Sequence, residues 1–166
     1  MSAPAKPVVN IADVALQEQS HGKSFLVKSG RIGRTLGLAS LGISVIVVPP
    51  GKRAWPFHRH HITEEAFVIL SGSGEYRYGK DTYPVKAGDV VAAPAGGEAH
   101  QLINTGSEDL RYLGLSAAHG GVDIVEYPDT GKIGLVAGIK AGADFRTATF
   151  SGMGTLTPQD YWQGED

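Results

Sequence analysis

Four of the six histidines lie in two short segments, PFHRHHITEE and GGEAHQLIN. His58 and His60 are two residues apart, so on an extended strand both imidazoles face one side of the sheet, whereas His61 faces the other side. Imidazole nitrogens are common ligands of divalent transition metals. The spacing therefore predicts that His58 and His60 present two nitrogens to one point, and His100 could supply a third from across a barrel.

Glu64 and Glu65 follow these histidines and open an apolar run, AFVIL. A strand there places Glu65 on the same face as Phe67 and Glu64 on the opposite face. A charged carboxylate that points into an apolar interior is costly unless it is paired or binds a metal. We expect a carboxylate to return on the antiparallel neighbour of the histidine strand. A shift of one residue in register would exchange the roles of Glu64 and Glu65.

The elements that must position these residues are short strands. From Leu36 onward, apolar runs rich in Val, Ile, Tyr and Phe alternate with clusters of Gly, Pro, Asp and Asn, without a helical period between them. This pattern predicts an all-β sandwich or barrel. The predicted strands are Gly42–Val48, Trp55–His60, Glu65–Leu70, Gly74–Tyr78, Thr82–Val85, Asp89–Ala93, His100–Asn104 and Leu110–Ser116.

The two ends of the sequence are less regular. The first thirty residues or so lack a sustained period and predict an arm with at most one short strand or helical turn. The residues after Ser116 predict an irregular extension over the barrel, pinned by apolar side chains that include Ile124, Phe145, Phe150, Tyr161 and Trp162. Ile43–Val48 is apolar at almost every position, which predicts a strand covered on both faces. A second subunit could supply one cover, so we expect a homodimer.

Composition excludes several classes of partner. A chain of 166 residues with 42% hydrophobic and 19% charged residues predicts one folded domain. The net charge is -2 and the basic residues are scattered, so neither nucleic acid nor an anionic membrane surface is expected as a partner. The absence of cysteine excludes thiolate metal sites and disulfides. No apolar stretch has the length of a signal peptide or membrane span, so we expect a soluble cytoplasmic protein.

Two motifs resemble those of the cupin superfamily, whose small jelly-roll barrels hold one divalent metal. The family's first motif has the order Gly, His-x-His, Glu, Gly, and its second has the order Gly, Pro-x-Gly, His, Asn. Each motif in this chain carries one extra loop residue. The matching residues are Gly51, His58, His60, Glu65 and Gly72 in the first motif, and Gly88, Pro94, Gly96, His100 and Asn104 in the second.

This resemblance implies a fold and a ligand set. The fold would be an all-β jelly roll, or double-stranded β-helix, forming a single cupin domain over 1–166, with the barrel at about 36–118, an N-terminal arm over 1–35 and a C-terminal extension over 119–166. The matched positions imply that His58, His60, Glu65 and His100 bind one divalent metal ion. The spacing to Gly72 selects Glu65 over Glu64. Three imidazoles and a carboxylate suit Fe, Mn, Ni, Co or Zn without choosing among them.

The wider segments GKRAWPFHRHHITEEAFVILSGSGE, EYPDTGK and DYWQGE resemble single-domain bacterial cupins that carry a sugar-phosphate isomerase label. This implies a metalloenzyme that acts on a small oxygen-rich metabolite. A sugar phosphate would need an inward cation, for which Arg53, Arg77 and Arg111 are candidates. Two alternatives stay open: an iron-dependent dioxygenase with a mostly apolar chamber, and a non-catalytic module that binds metal or a small ligand.

Overall fold

The computed structural model of the chain describes residues 7–117, 121–138 and 148–165. A 3-10 turn at Ile11–Asp13 precedes the strands, and these residues contain no α-helix. The strands are β1 (Gln17–His21), β2 (Phe25–Arg31), β3 (Leu41–Val48), β4 (Arg59–His60), β5 (Glu64–Ser71), β6 (Ser73–Tyr78), β7 (Asp81–Lys86), β8 (Val90–Ala93), β9 (His100–Ile103), β10 (Leu110–Ala117), β11 (Val122–Tyr127), β12 (Lys132–Ala137) and β13 (Phe150–Gly154).

The strands form three sheets whose neighbouring strands are antiparallel. The largest sheet has the order β1-β2-β3-β10-β5-β8, the second has the order β13-β12-β11-β4, and the third has the order β7-β6-β9. The predicted ligands His60, Glu65 and His100 lie on β4, β5 and β9, and these strands belong to three different sheets. The site exists only where these sheets meet.

The hydrophobic core lies between the six-stranded and the three-stranded sheet. Along β5 and β6 buried residues alternate with less buried ones, so each of these two strands turns one row of side chains inward. Phe67 of β5 packs between Tyr76 of β6 and Tyr112 of β10, with ring centroids 6.5 and 5.8 Å away. The buried cluster consists of Val27, Ile46, Val48, Ala54, Phe67, Ile69, Tyr76, Val85, Leu102, Leu110 and Tyr112.

The all-β prediction is confirmed, with one strand much shorter than expected. Only Arg59–His60 is a strand within the predicted run Trp55–His60. Pro56 lies in this run, and because proline lacks an N–H it cannot donate to a sheet ladder. His58 nevertheless forms an isolated antiparallel bridge with His100.

Both ends of the chain are more regular than predicted. The N-terminal arm contains the hairpin β1–β2, and the C-terminal extension contains β11, β12 and β13 in successive antiparallel pairs. The prediction of aromatic anchors is wrong for Phe150, Tyr161 and Trp162, which are 58%, 83% and 71% exposed. Ile124 is partly buried on β11. Phe145 lies outside the described residues.

The apolar strand β3 is covered by the chain itself. It lies between β2 and β10, and the four residues at its C-terminal end are buried in the isolated chain. Burial on both faces, which prompted the expectation of a dimer, is thus achieved without a second subunit. The homodimer itself stays a prediction.

No helical segment of the described chain has the length and apolar character needed to span a bilayer.

Asn104, in the second motif, ties the loop after β9 to the end of β3. Its side chain is fully buried and donates through Nδ2 to the carbonyls of Val48 and Glu108, at 2.7 and 2.8 Å. Its Oδ1 accepts from the Gly106 N–H at 3.0 Å. Asn104 therefore stabilises the turn after β9 and joins it to the end of β3.

We expect Asn104→Ala to lower the free energy of unfolding by about 2–4 kcal/mol, because it leaves the buried Val48 carbonyl, the Glu108 carbonyl and the Gly106 N–H without their partner. Asn10 is a matched control, since its exposed side chain also accepts from an N–H two residues ahead, that of Ala12. Asn10→Ala should cost less than about 1 kcal/mol. Urea unfolding of both variants measures the difference, and equal losses would contradict this role of Asn104.

Candidate metal centre

The four predicted ligands come together at one place. His58 and His100 are paired by two backbone hydrogen bonds, from His58 N–H to His100 O at 3.2 Å and from His100 N–H to His58 O at 2.8 Å. His60 lies on β4, and Glu65 comes from β5 in a different sheet. The expectation that Glu65 returns on the antiparallel neighbour of the histidine strand is therefore wrong. The neighbour of His58 is His100, and β4 pairs with β11 instead.

One carboxylate oxygen is the centre of the cluster. Glu65 Oε2 lies 3.0 Å from His100 Nε2, 3.6 Å from His60 Nε2 and 3.7 Å from His58 Nε2. One ligand atom from each of His58, Glu65 and His100 lies within 4.8 Å of the other two. Donor atoms about 2.1 Å from a shared ion are separated by about 3.0–3.4 Å in octahedral or tetrahedral geometry. The spacing of these three residues is therefore compatible with a single metal ion. His60 is not part of this group of three and approaches it through the contact of its Nε2 with Glu65.

Hydrogen bonds at the outer ring nitrogens direct two imidazoles inward. His58 Nδ1 lies 2.8 Å from the Pro56 carbonyl oxygen, and His60 Nδ1 lies 2.7 Å from Asp123 Oδ2. A carbonyl and a carboxylate only accept hydrogen bonds, so each Nδ1 carries the proton. The Nε2 lone pairs of both rings are thus available on the side of Glu65, as metal binding requires.

His100 is held differently. Its Nδ1 is buried and has no hydrogen-bond partner among the described residues. The ring packs instead against Phe67 and Tyr76, with centroids 5.6 and 6.2 Å away. Packing therefore sets the orientation of this imidazole, while its Nε2 points at Glu65.

Asp123 on β11 is the residue of this centre that the sequence analysis missed. Its Oδ2 accepts from His60 and from the Thr63 hydroxyl, both at 2.7 Å, and its Oδ1 accepts from the N–H groups of His61 and Ile62, both at 3.2 Å. The carboxylate thus fixes the loop between β4 and β5 as well as the His60 ring. No local motif marks it, because the pairing of β11 with β4 joins residues more than sixty positions apart.

The electrostatics favour the protonation states of metal ligands at Glu65 and His100, but they favour the protonated ring at His60. Burial alone would raise the pKa of the Glu65 carboxyl, but the His100 and His58 side chains and the charge of His60 hold it well below its usual range. Burial lowers the pKa of His100 below the ordinary histidine value. For His60, burial acts to lower the pKa, yet the hydrogen bond to Asp123 and the charge of Glu65 raise it overall. An ionised carboxylate and a neutral buried imidazole are the forms that bind metals.

His61 and Glu64 lie outside the centre, as their strand parity predicts. His61 Nε2 lies 2.6 Å from Glu126 Oε1, and Arg59 donates to both oxygens of Glu126 at 2.8 and 2.9 Å. Glu64 is exposed, whereas Glu65 is largely buried. β5 thus turns Glu65 toward the centre and Glu64 toward solvent, as the spacing to Gly72 predicts.

A cavity of about 690 Å³ opens in front of the cluster. His58, Glu65 and His100 form part of its wall, together with Phe67 and Tyr112 of the core. None of the three predicted cations Arg53, Arg77 and Arg111 lines this cavity. Arg77 is bonded to Asp129 and lies over the Phe57 ring, and Arg111 donates to the Ile11 carbonyl.

The comparisons with known proteins agree with this architecture. Residues 44–116 match the family model described as a cupin domain. These residues form a cupin domain. The match includes His58, His60, Glu65 and His100. The prediction of a cupin-type jelly roll is therefore confirmed, while the assignment of these four residues as the metal ligands stays a prediction.

Two curated proteins are similar to parts of this chain. An oxalate-binding protein from Thermotoga maritima is 37% identical over 68 residues, covering 41% of this chain and 54% of that protein. Auxin-binding protein 1 from Arabidopsis thaliana is 34% identical over 119 residues, covering 64% of this chain and 57% of that protein. The alignments thus span little more than half the length of these curated relatives.

One solved structure covers nearly the whole chain. A sugar phosphate isomerase of the cupin superfamily from Silicibacter pomeroyi superposes with a TM-score of 0.74 at 18% identity, covering 91% of this chain and 97% of that chain. At this identity the likeness shows the fold alone. Because the superposition covers 91% of this chain, it also includes much of the sequence before residue 44 and after residue 116.

We expect Asp123→Asn to weaken binding of Zn²⁺ or Mn²⁺ by about 10–100-fold, because removal of a partner that orients a ligand imidazole typically has this effect. Glu126→Gln is the matched control, since Glu126 lies on the same strand and contacts His61, which faces away from the centre. Competition with a fluorescent chelator measures both affinities. Equal affinities for the two variants would show that Asp123 does not orient His60.

Proposed function

We propose that this cupin is a metal-dependent enzyme that acts on a small oxygen-rich metabolite, with the isomerisation of a sugar or sugar phosphate as its reaction. The observation that supports this proposal is the convergence of three imidazole Nε2 atoms on the Glu65 carboxylate at the wall of a cavity. His58, His60, Glu65 and His100 would hold one ion of Fe, Mn, Ni, Co or Zn. Four protein ligands on a six-coordinate ion leave two positions for substrate oxygens.

A bound divalent ion would polarise a substrate carbonyl and lower the pKa of a neighbouring hydroxyl. The protein supplies the enclosure. Among the described residues of the cavity wall, the imidazoles and the carboxylate belong to the ligand cluster, and burial raises the pKa of the Tyr112 hydroxyl far above its ordinary value. Atoms that bind the ion cannot also accept a substrate proton, so the described wall offers no separate general base.

A non-catalytic binding module is the second candidate. Two curated relatives are named for binding, one for oxalate and one for auxin. The absence of a separate base in the described cavity wall also fits a protein that holds its ligand without converting it. An iron-dependent dioxygenase is less well supported, because the cavity wall includes Arg31, Gln17 and Gln101 rather than being mostly apolar.

We propose that residues 1–166 act as one domain, that the protein is a cytoplasmic homodimer, and that its partners are small molecules rather than nucleic acid or membrane. Light scattering coupled to size exclusion at micromolar concentration tests the dimer. A mass equal to that of one 17.5 kDa chain would contradict it.

We expect His60→Ala to lower metal affinity by more than about 100-fold, since loss of even an outer partner of a ligand has an effect of about 10–100-fold. His61→Ala is the control at the neighbouring position, because His61 faces Glu126 rather than the centre. Elemental analysis of both purified variants measures the loss. A His60→Ala protein with full metal content would contradict the ligand assignment.

The reaction is tested on the same preparations. Aldose and ketose sugars and their phosphates are incubated with the metal-loaded protein, and conversion is followed by NMR. We expect interconversion that stops after chelation and returns when the metal is added back. Tight ligand binding without turnover would favour the binding module instead, and mass spectrometry of co-purified ligand would then identify the compound.

A further inference from the structure

The last strand, β13, leaves one of its edges unpaired. It pairs with β12 along the other edge, and no strand among the described residues continues the sheet beyond it. All five of its residues are exposed. An unpaired edge presents a row of N–H and C=O groups to which another strand can bind, and charged residues or proline are the usual protection against this. The sequence of β13, FSGMG, contains neither.

The chain that follows β13 adds apolar surface to this edge. The large apolar side chains of 148–165 are 58–83% exposed, and they are Phe150, Met153, Leu156, Tyr161 and Trp162. At about 150–250 Å² for each aromatic side chain, the three aromatic residues alone expose roughly 300–500 Å². A stable interface buries about 800 Å² per partner. With the two aliphatic side chains and the backbone of β13, the segment is large enough to form one.

Two glycines of β13 have no explanation within the single chain. Neither Gly152 nor Gly154 has a positive φ, and a Cβ at either position would meet nothing within 4 Å. Gly74 of β6, by contrast, lies so close to the Ile103 carbonyl oxygen that a Cβ would collide with it. Glycine weakens a strand and often marks the close approach of another backbone or a ligand. The bare surface at Gly152 and Gly154 therefore indicates an occupant from outside the chain.

The face of β13 that carries Phe150 continues as an apolar face over β12 and β11. Residues directly opposite each other on antiparallel strands share a face. Phe150 lies opposite Ala137, which lies opposite the 55% exposed Val122. Gly154 lies on the same face, opposite Ile133. A side chain that covers Gly154 from a further strand would therefore reach Ile133.

We propose that β13 pairs with β13 of a second copy of this chain, antiparallel about a two-fold axis at Gly152. This inference rests on the homodimer proposed above and gives that dimer a surface. In this register Phe150 lies opposite the partner's Gly154, so each phenyl ring covers a bare glycine and packs toward Ile133. Residues 148–159 carry no charge, so the pairing brings no like charges together. The two four-stranded sheets join into one continuous sheet.

Cysteine cross-linking tests this register, because the chain contains no cysteine of its own. Gly152→Cys places each thiol beside its copy, where opposite Cα atoms lie about 4.5–5.5 Å apart, within the span of a disulfide. A Cβ at Gly152 meets nothing in its own chain, so the variant should fold normally. We expect most of it to migrate as a covalent dimer on a non-reducing gel. Val90→Cys is the matched control, since Val90 is 65% exposed on the edge strand β8 and should not cross-link.

We expect Phe150→Lys to raise the dissociation constant of the dimer by at least about 100-fold. A central aromatic residue of an interface typically contributes about tenfold or more, and the two-fold axis places the substitution in the interface twice. Tyr83→Lys is the matched control, since Tyr83 is a 50% exposed aromatic residue on the edge strand β7. Light scattering over a dilution series measures both constants. Both side chains are exposed in the single chain, so both variants should keep the circular dichroism spectrum of the unmodified protein.

The outcomes separate this surface from the homodimer and from the metal centre. The mass of one 17.5 kDa chain for the unmodified protein would overturn the homodimer and the surface together. A dimer that Phe150→Lys does not weaken, or a Gly152→Cys protein that does not cross-link, would overturn the pairing through β13 while the homodimer stands. The metal content of these variants tests the metal centre separately, because β13 and the strand of His60, β4, lie at opposite edges of their sheet.

Discussion

The structure depends on how a buried carboxylate is compensated. Glu65 is the second residue of β5, which runs directly into the apolar core, and an isolated charge there would be far too costly. Three imidazoles meet its Oε2 within 3.7 Å, and their hydrogen bonds and charge keep the carboxyl ionised. The three rings and the carboxylate are distributed over three sheets, so this cluster also requires that the sheets pack in one relative arrangement.

The compensation extends outward in layers. His58 and His60 are oriented by Pro56 and Asp123, and Asp123 is in turn held by Thr63 and two backbone N–H groups. Each layer satisfies the polar groups of the one inside it, so the centre has few ways to rearrange. His100 is the exception, because its ring is held by packing against aromatic rings and not by a hydrogen bond from Nδ1 to a described residue.

The sequence predicted what local periodicity controls. The side chains of His58 and His60 converge because they are two residues apart, and His61 and Glu64 are excluded for the same reason of parity. Local periodicity does not determine which distant strands pair. Three such contacts depend on the packing of the whole chain: His58 pairs with His100, β4 pairs with β11, and the turn after β2 lies against Ile43. Asp123 could not be found without that information.

The attachment of β11 to β4 has a consequence for how such chains diversify. The motif-bearing segment contains the predicted ligands, but the carboxylate that orients His60 is encoded after it, and part of the cavity wall, including Gln17 and Ser29, is encoded before it. Exchange of either flanking segment between related chains would therefore alter selectivity or metal affinity while both recognisable motifs stayed intact. Two sequences with identical motifs can accordingly differ in what they accept, and comparison of their flanks is the more informative guide to their chemistry.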